Sequence, residues 1–128
     1  MTPEAESYLA KARITLDHGR TMLTVNLTED AGRAAYLAGY QAAQALIFQR
    51  TGKAAKTHKG AQTEFARLAV REPHISPDLR RFLPQAYDLK AICDYELGPD
   101  AVVPHEKAQT ALETASRFVD CITGLLTA

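Results

Sequence analysis

A chain of 128 residues with 46% apolar and 23% charged side chains has the size and balance of one folded domain, because roughly 100–150 residues usually close around a single hydrophobic core. Fifteen Lys and Arg offset fifteen Asp and Glu, which excludes a protein that coats nucleic acid through bulk phosphate neutralisation and leaves room only for a local basic patch. Cys93 and Cys121 are far apart with no CxxC or His/Cys cluster around them, so they read as reduced core residues, without a zinc site or disulfide framework.

The hydrophobic period is helical nearly throughout, which predicts an all-α, up-down bundle of four principal helices and one short one, joined by short loops into a single domain over residues 1–128. The first helix is expected from Pro3 to about Thr24, with Thr2 as N-cap and Glu4 and Glu6 at its positive end. Its buried stripe is Ala5, Leu9, Ala12, Leu16 and Leu23. Thr28 reads as the next N-cap, ahead of Glu29 and Asp30, and the second helix ends near Arg50, before Gly52. Small residues Ala35, Ala38, Gly39, Ala42 and Ala45 let neighbours approach closely and make this the central helix.

A basic connection follows, TGKAAKTHKG, then a short helix from about Ala61 to Val70. Pro73 and Pro77 interrupt the chain. Ser76 is placed to cap a fourth helix starting at Pro77, whose inner stripe is Leu79, Phe82, Leu83, Ala86, Leu89 and Cys93, and Gly98-Pro99 stops it. The last helix starts at Pro104 or His105 and carries Ala108, Ala111, Leu112, Ala115, Val119, Ile122 and Leu126 on its apolar side. With charges spread through the N-terminal segment and no long apolar run, the sequence points to a cytoplasmic protein with no membrane segment.

Two places concentrate polar chemistry. Lys90 and Asp94 are four apart, hence on one helix face with Tyr87 a turn away, and form an exposed ion pair, a polar lock in the bundle, or a polar cluster in a dimer cleft that binds phosphate or nucleotide through Lys90. The loop carries Arg50, Lys53, Lys56, His58 and Lys59 with no acid among residues 50–59. Such a loop is either simply solvated or steers RNA or a nucleotide, with His58 as a candidate acid–base group. By contrast, residues 94–106 hold Asp94, Glu96, Asp100 and Glu106 and no Lys or Arg, a stretch suited to a basic partner. Tyr36 and Tyr40, four apart beside the alanine stripe, read as core or dimer-interface residues.

The run AAYLAGYQAAQALIFQRTGK, the KTHKG connection at residues 56–60 and the run DLKAICDYELG at residues 88–98, in that order, resemble the HEPN domain family, in its branch with KTHxG and (R/K)xxxDY motifs. The resemblance covers most of the chain. It implies a HEPN-like bundle of four to five helices, often a homodimer, and commonly a companion of a minimal nucleotidyltransferase in prokaryotic toxin–antitoxin or defence modules, directed at RNA or a nucleotide and needing no metal or other cofactor. Many HEPN proteins are metal-independent ribonucleases in which an Arg is followed, four to six residues on, by a His at the dimer cleft. Here Lys90 stands in place of that Arg, and none of residues 95, 96 and 97 is His. On this resemblance the candidate catalytic residues are Lys90, Asp94, Tyr95 and His58, the last standing in for the missing histidine, and the candidate nucleotide- or RNA-binding residues are Arg50, Lys53, Lys56 and Lys59. Tyr95 corresponds to a tyrosine that the partner AMPylates in related members. The alternative reading is a nonenzymatic module that binds a nucleotide or a protein.

Overall fold

A computed structural model describes residues 1–99 and 102–127; the acid Asp100 of the sequence reading lies outside the described residues. Within them the chain forms α1 (Pro3–Thr24), α2 (Thr28–Thr51), α3 (His58–Ala69), α4 (Pro77–Arg80), α5 (Phe82–Tyr95) and α6 (His105–Thr127), with no strand. The architecture is the expected all-α bundle. Thr2 caps α1 by accepting from the Ala5 N–H at 3.1 Å, and Ala5, Leu9, Ala12 and Leu16 are buried. Leu27, rather than Thr28, precedes the first turn of α2 and makes no side-chain cap, while Gly52 ends α2 in the left-handed region at φ 81°.

α2 is the central helix, packed against α1, α3, α5 and α6. Its small residues explain why. A Cβ on Gly39 would stand 2.3 Å from Cε2 of Phe82, and one on Gly19 of α1 would stand 2.6 Å from Cδ2 of Leu112, so both positions need hydrogen for α5 and α6 to approach. Phe82 in turn stacks on Phe118 at 5.2 Å between centroids, and Phe118 meets Phe65 of α3 at 5.1 Å. This aromatic chain ties α3, α5 and α6 around α2.

Two further helices differ from expectation. α3 starts at His58, earlier than Ala61, because Thr57 caps it by accepting from the Gly60 N–H at 2.9 Å. The fourth helix divides at Arg81 into α4 and α5. Pro84 accounts for the break: it has no N–H to give the Arg80 carbonyl, and its ring would collide with that carbonyl in a continuous helix. The Gln85 N–H resumes the pattern by donating to the Arg81 carbonyl at 3.3 Å. No helix among the described residues is long and apolar enough to cross a membrane.

Candidate functional site

The central helix builds the site with one stripe. Arg33, Tyr36, Tyr40 and Gln44 follow one another at helical spacing and face three different parts of the chain. Gln44 is 2% exposed and fully used. Its Nε2 donates to the Ala55 carbonyl at 2.8 Å and to the Tyr40 hydroxyl at 2.9 Å, and its Oε1 accepts from the Ala55 N–H at 2.9 Å. A buried amide satisfied in this way pins the basic loop to α2 and so fixes where α3 begins.

His58 is the first residue of α3. Its Nδ1 lies 2.7 Å from the hydroxyl oxygen of Tyr36. The imidazole ring sits 5.5 Å from Tyr36, 4.9 Å from Tyr40 and 5.8 Å from Tyr87 between centroids, while Tyr36 and Tyr87 meet edge to face at 5.3 Å. Tyr36 is buried, Tyr40 and Tyr87 are half-buried and His58 is exposed, so the cluster opens to solvent on the histidine side. Burial, reinforced by the neighbouring phenols of Tyr40 and Tyr87, pushes the Tyr36 hydroxyl well above the ordinary phenol range, which keeps it protonated.

α5 supplies the charge. The Lys90 ammonium lies 5.8 Å from the centroid of the Tyr87 ring, within cation–π range, and bonds the Asp94 carboxylate one turn on. Arg33 reaches across from α2: Nε donates to Asp94 Oδ1 at 2.6 Å, Nη2 to the Cys93 carbonyl at 2.7 Å, and Nη1 to Asp30 Oδ1 at 2.8 Å. Cys93 belongs to the last turn of α5, whose carbonyls have no helical partner, so Arg33 also closes that helix end. Lys90 first and Arg33 second hold the Asp94 carboxyl below the ordinary carboxylate range, and Asp94 in turn raises both cations. Burial raises the neighbouring Cys93 thiol, which leaves it a poor nucleophile.

A pH dependence follows with a definite sign. A depressed carboxyl contributes stability that is present above its unfolded-state pKa and disappears as pH falls through the folded-state value. Asp94→Asn is therefore expected to unfold more easily than the parent at neutral pH. The gap should close on acidification through the carboxylate range, as measured by urea unfolding at a series of pH values. A gap that stays constant with pH would mean that the pairing with Lys90 and Arg33 contributes nothing through charge.

The sequence-predicted residues divide into two groups. His58, Lys90 and Asp94 come together with Tyr87, Tyr36 and Tyr40. Tyr36 and Tyr40, read as core or dimer-interface residues, do pack in or against the core, and their rings also meet His58. Tyr95, the last residue of α5, is 75% exposed and makes none of the ring contacts of the cluster. Arg50 pairs with Glu72 at 3.0 Å and so braces α2 against the segment after α3. Lys53, Lys56 and Lys59 are exposed and form no ion pair among the described residues. Arg33 and Gln44, which hold the cluster's elements together, are residues that the sequence reading missed, although the 33, 36, 40, 44 stripe of large polar groups on a helix otherwise rich in alanine and glycine was a usable signal. A separate groove of about 480 Å³ between α5 and α6 is lined by Phe82, Ala86, Leu89, Lys107 and Ala111 among others, and shares no residue with the cluster.

This arrangement offers an aromatic surface, an imidazole and an ammonium within one small area, a combination that accommodates a nucleobase by stacking and a phosphate by charge. The chain is similar to TT1696 from Thermus thermophilus, whose crystal structure superposes with a TM-score of 0.75 at 21% identity, over 96% of this chain and 98% of that one. Among curated proteins no relative matches. The family model of the HEPN domain matches residues 5–125, nearly the whole length. The chain belongs to the HEPN domain family.

Proposed function

We propose that this chain is the HEPN component of a cytoplasmic prokaryotic toxin–antitoxin or defence module that acts with a minimal nucleotidyltransferase, and that its own site binds a nucleotide or an RNA end. The observation that supports this reading is the convergence of the KTHKG segment and the DLKAICDY helix on one aromatic cluster, with His58 and Lys90 each 5.8 Å from the Tyr87 ring. Lys90 neutralises phosphate, the tyrosine rings accept a base, and the exposed Lys56 and Lys59 draw an anion toward His58. Tyr95 fits the partner's reaction: its 75% exposure leaves the phenolic oxygen open to attack the α-phosphate of ATP, with pyrophosphate and the phenolic proton as the products released. A homodimer belongs to the same reading, and light scattering at high micromolar concentration tests it, since a monomer mass would remove the second copy.

Lys90 still meets a phosphate as a point charge, though without the bidentate fork of Arg, and residues 95–97 supply no His to move a proton, so the chemistry favours binding over cleavage. The purified chain in EDTA, mixed with single-stranded RNA or with AMP, is expected to bind both and to leave the RNA intact. Metal-independent cleavage lost in both His58→Ala and Lys90→Ala would establish an altered ribonuclease instead. Failure to bind either ligand would remove the nucleotide reading altogether. The partner is tested by co-expression with a nucleotidyltransferase encoded beside it: a complex that survives gel filtration is expected, and separate elution would sink the two-protein module.

A further inference from the structure

The bond between Tyr36 and His58 decides which nitrogen of the imidazole carries the proton. Tyr36 is 1% exposed, so no bulk water satisfies its hydroxyl, and the acceptor given to it is His58 Nδ1 at 2.7 Å. Among the described residues the hydroxyl has no other acceptor, and a buried phenolic proton left without one costs free energy, so the phenol turns its proton toward the imidazole. The ring is held on its other sides by Tyr40 and Tyr87.

Resting on the nucleotide-binding reading above, we infer that Tyr36 is a positioning residue: its phenol donates to Nδ1 of His58, places the neutral imidazole's proton on Nε2, and makes His58 a hydrogen-bond donor to a phosphate oxygen of a bound nucleotide. In this tautomer Nε2 has no lone pair with which to take a proton from a ribose hydroxyl. The same contact that builds the binding site therefore disarms His58 as the general base of a ribonuclease. Lys56 and Lys59, exposed on either side of His58 in the chain, supply positive charge to the same ligand group. The single hydroxyl of Tyr36 thus sets both ligand preference and chemical inertness.

Nitrogen-15 NMR of the labelled full chain without ligand at neutral pH reads the tautomer directly. The proton is expected on Nε2, with Nδ1 showing the shift of a hydrogen-bonded acceptor and a through-bond coupling to an exchange-protected phenolic proton. In Tyr36→Phe, which keeps the ring, Nδ1 should move to the shift of a free unprotonated nitrogen, and AMP affinity should fall by about threefold to tenfold, the worth of one neutral hydrogen bond. Lys90→Ala, by contrast, should leave the His58 nitrogens unmoved. A proton on Nδ1 in the parent chain overturns the inference, and that measurement stands even if Tyr36→Phe fails to fold. An unmoved Nδ1 shift in a folded Tyr36→Phe overturns it equally. If the proton is on Nε2 but AMP does not bind, the nucleotide-binding reading falls while the tautomer assignment holds.

Discussion

Replacing Phe118 by alanine is expected to lower stability by about 3–5 kcal/mol, the usual cost of emptying a fully buried phenylalanine site. Phe118 is 0% exposed and stands between Phe65 and Phe82, with ring centroids at 5.1 and 5.2 Å. Its loss removes burial, both aromatic contacts and the support under the first turn of α5. The cavity cannot collapse easily, because Phe82 is already against Gly39 of the central helix and has little room to follow. For a domain of this size each kcal/mol moves the melting temperature by about 3–5 °C, so calorimetry should register a fall of about 10–20 °C. A fall of under about 3 °C would mean that the three rings do not form the joint described. Because α5 carries Tyr87 and Lys90, a variant that remains folded at low temperature should also bind a nucleotide more weakly.

The second large effect concerns ligand. Lys90→Ala is expected to weaken AMP binding by about tenfold to a hundredfold, since a hydrogen bond to a charged group is worth about 1.5–3 kcal/mol and each 1.4 kcal/mol is a decade of affinity. Two effects act in the same direction. The ammonium that meets the phosphate is gone, and Asp94, freed from Lys90, faces the ligand with an unshared negative charge although Arg33 still holds one of its oxygens. Lys90→Arg, which keeps the charge, should restore most of the affinity. Exposed loop cations such as Lys53 act through a screened field, so Lys53→Ala should cost under about threefold and the difference should shrink in high salt. Isothermal titration of the four proteins separates these contributions; equal affinities for the parent and Lys90→Ala would exclude Lys90 from the site.

How far the sequence alone reached depends on the kind of interaction. The helical period gave four long helices and their inner faces, because burial of one stripe per helix is a local pattern. The division of the fourth helix turned on a single local rule, the missing N–H of Pro84, which a run of otherwise apolar residues concealed. Lys90 with Asp94 was legible as an i,i+4 pair. Its third member, Arg33, was not, since nothing local links residue 33 to residue 94. His58 stood out by residue type, yet its partner Tyr36 looked like core, and it is core, with one polar atom turned to the imidazole. Gln44 was hidden for the same reason: a glutamine among alanines is anomalous, but its target, the backbone of Ala55, carries no side-chain signature at all. The polar contacts of the site run between α2, α3 and α5, and contacts between helices are what a one-dimensional pattern does not encode.

The central claim is that residues from three helices form one nucleotide-binding surface. An NMR titration of the labelled chain with AMP, in EDTA and followed residue by residue, tests it most directly. Saturable shifts should concentrate at His58, Tyr36, Tyr40, Tyr87 and Lys90, with smaller ones at Lys56 and Lys59, and should leave the α5–α6 groove around Lys107 and Ala111 unmoved. Shifts confined to that groove or to the loop lysines, or no shift at millimolar AMP, would contradict it.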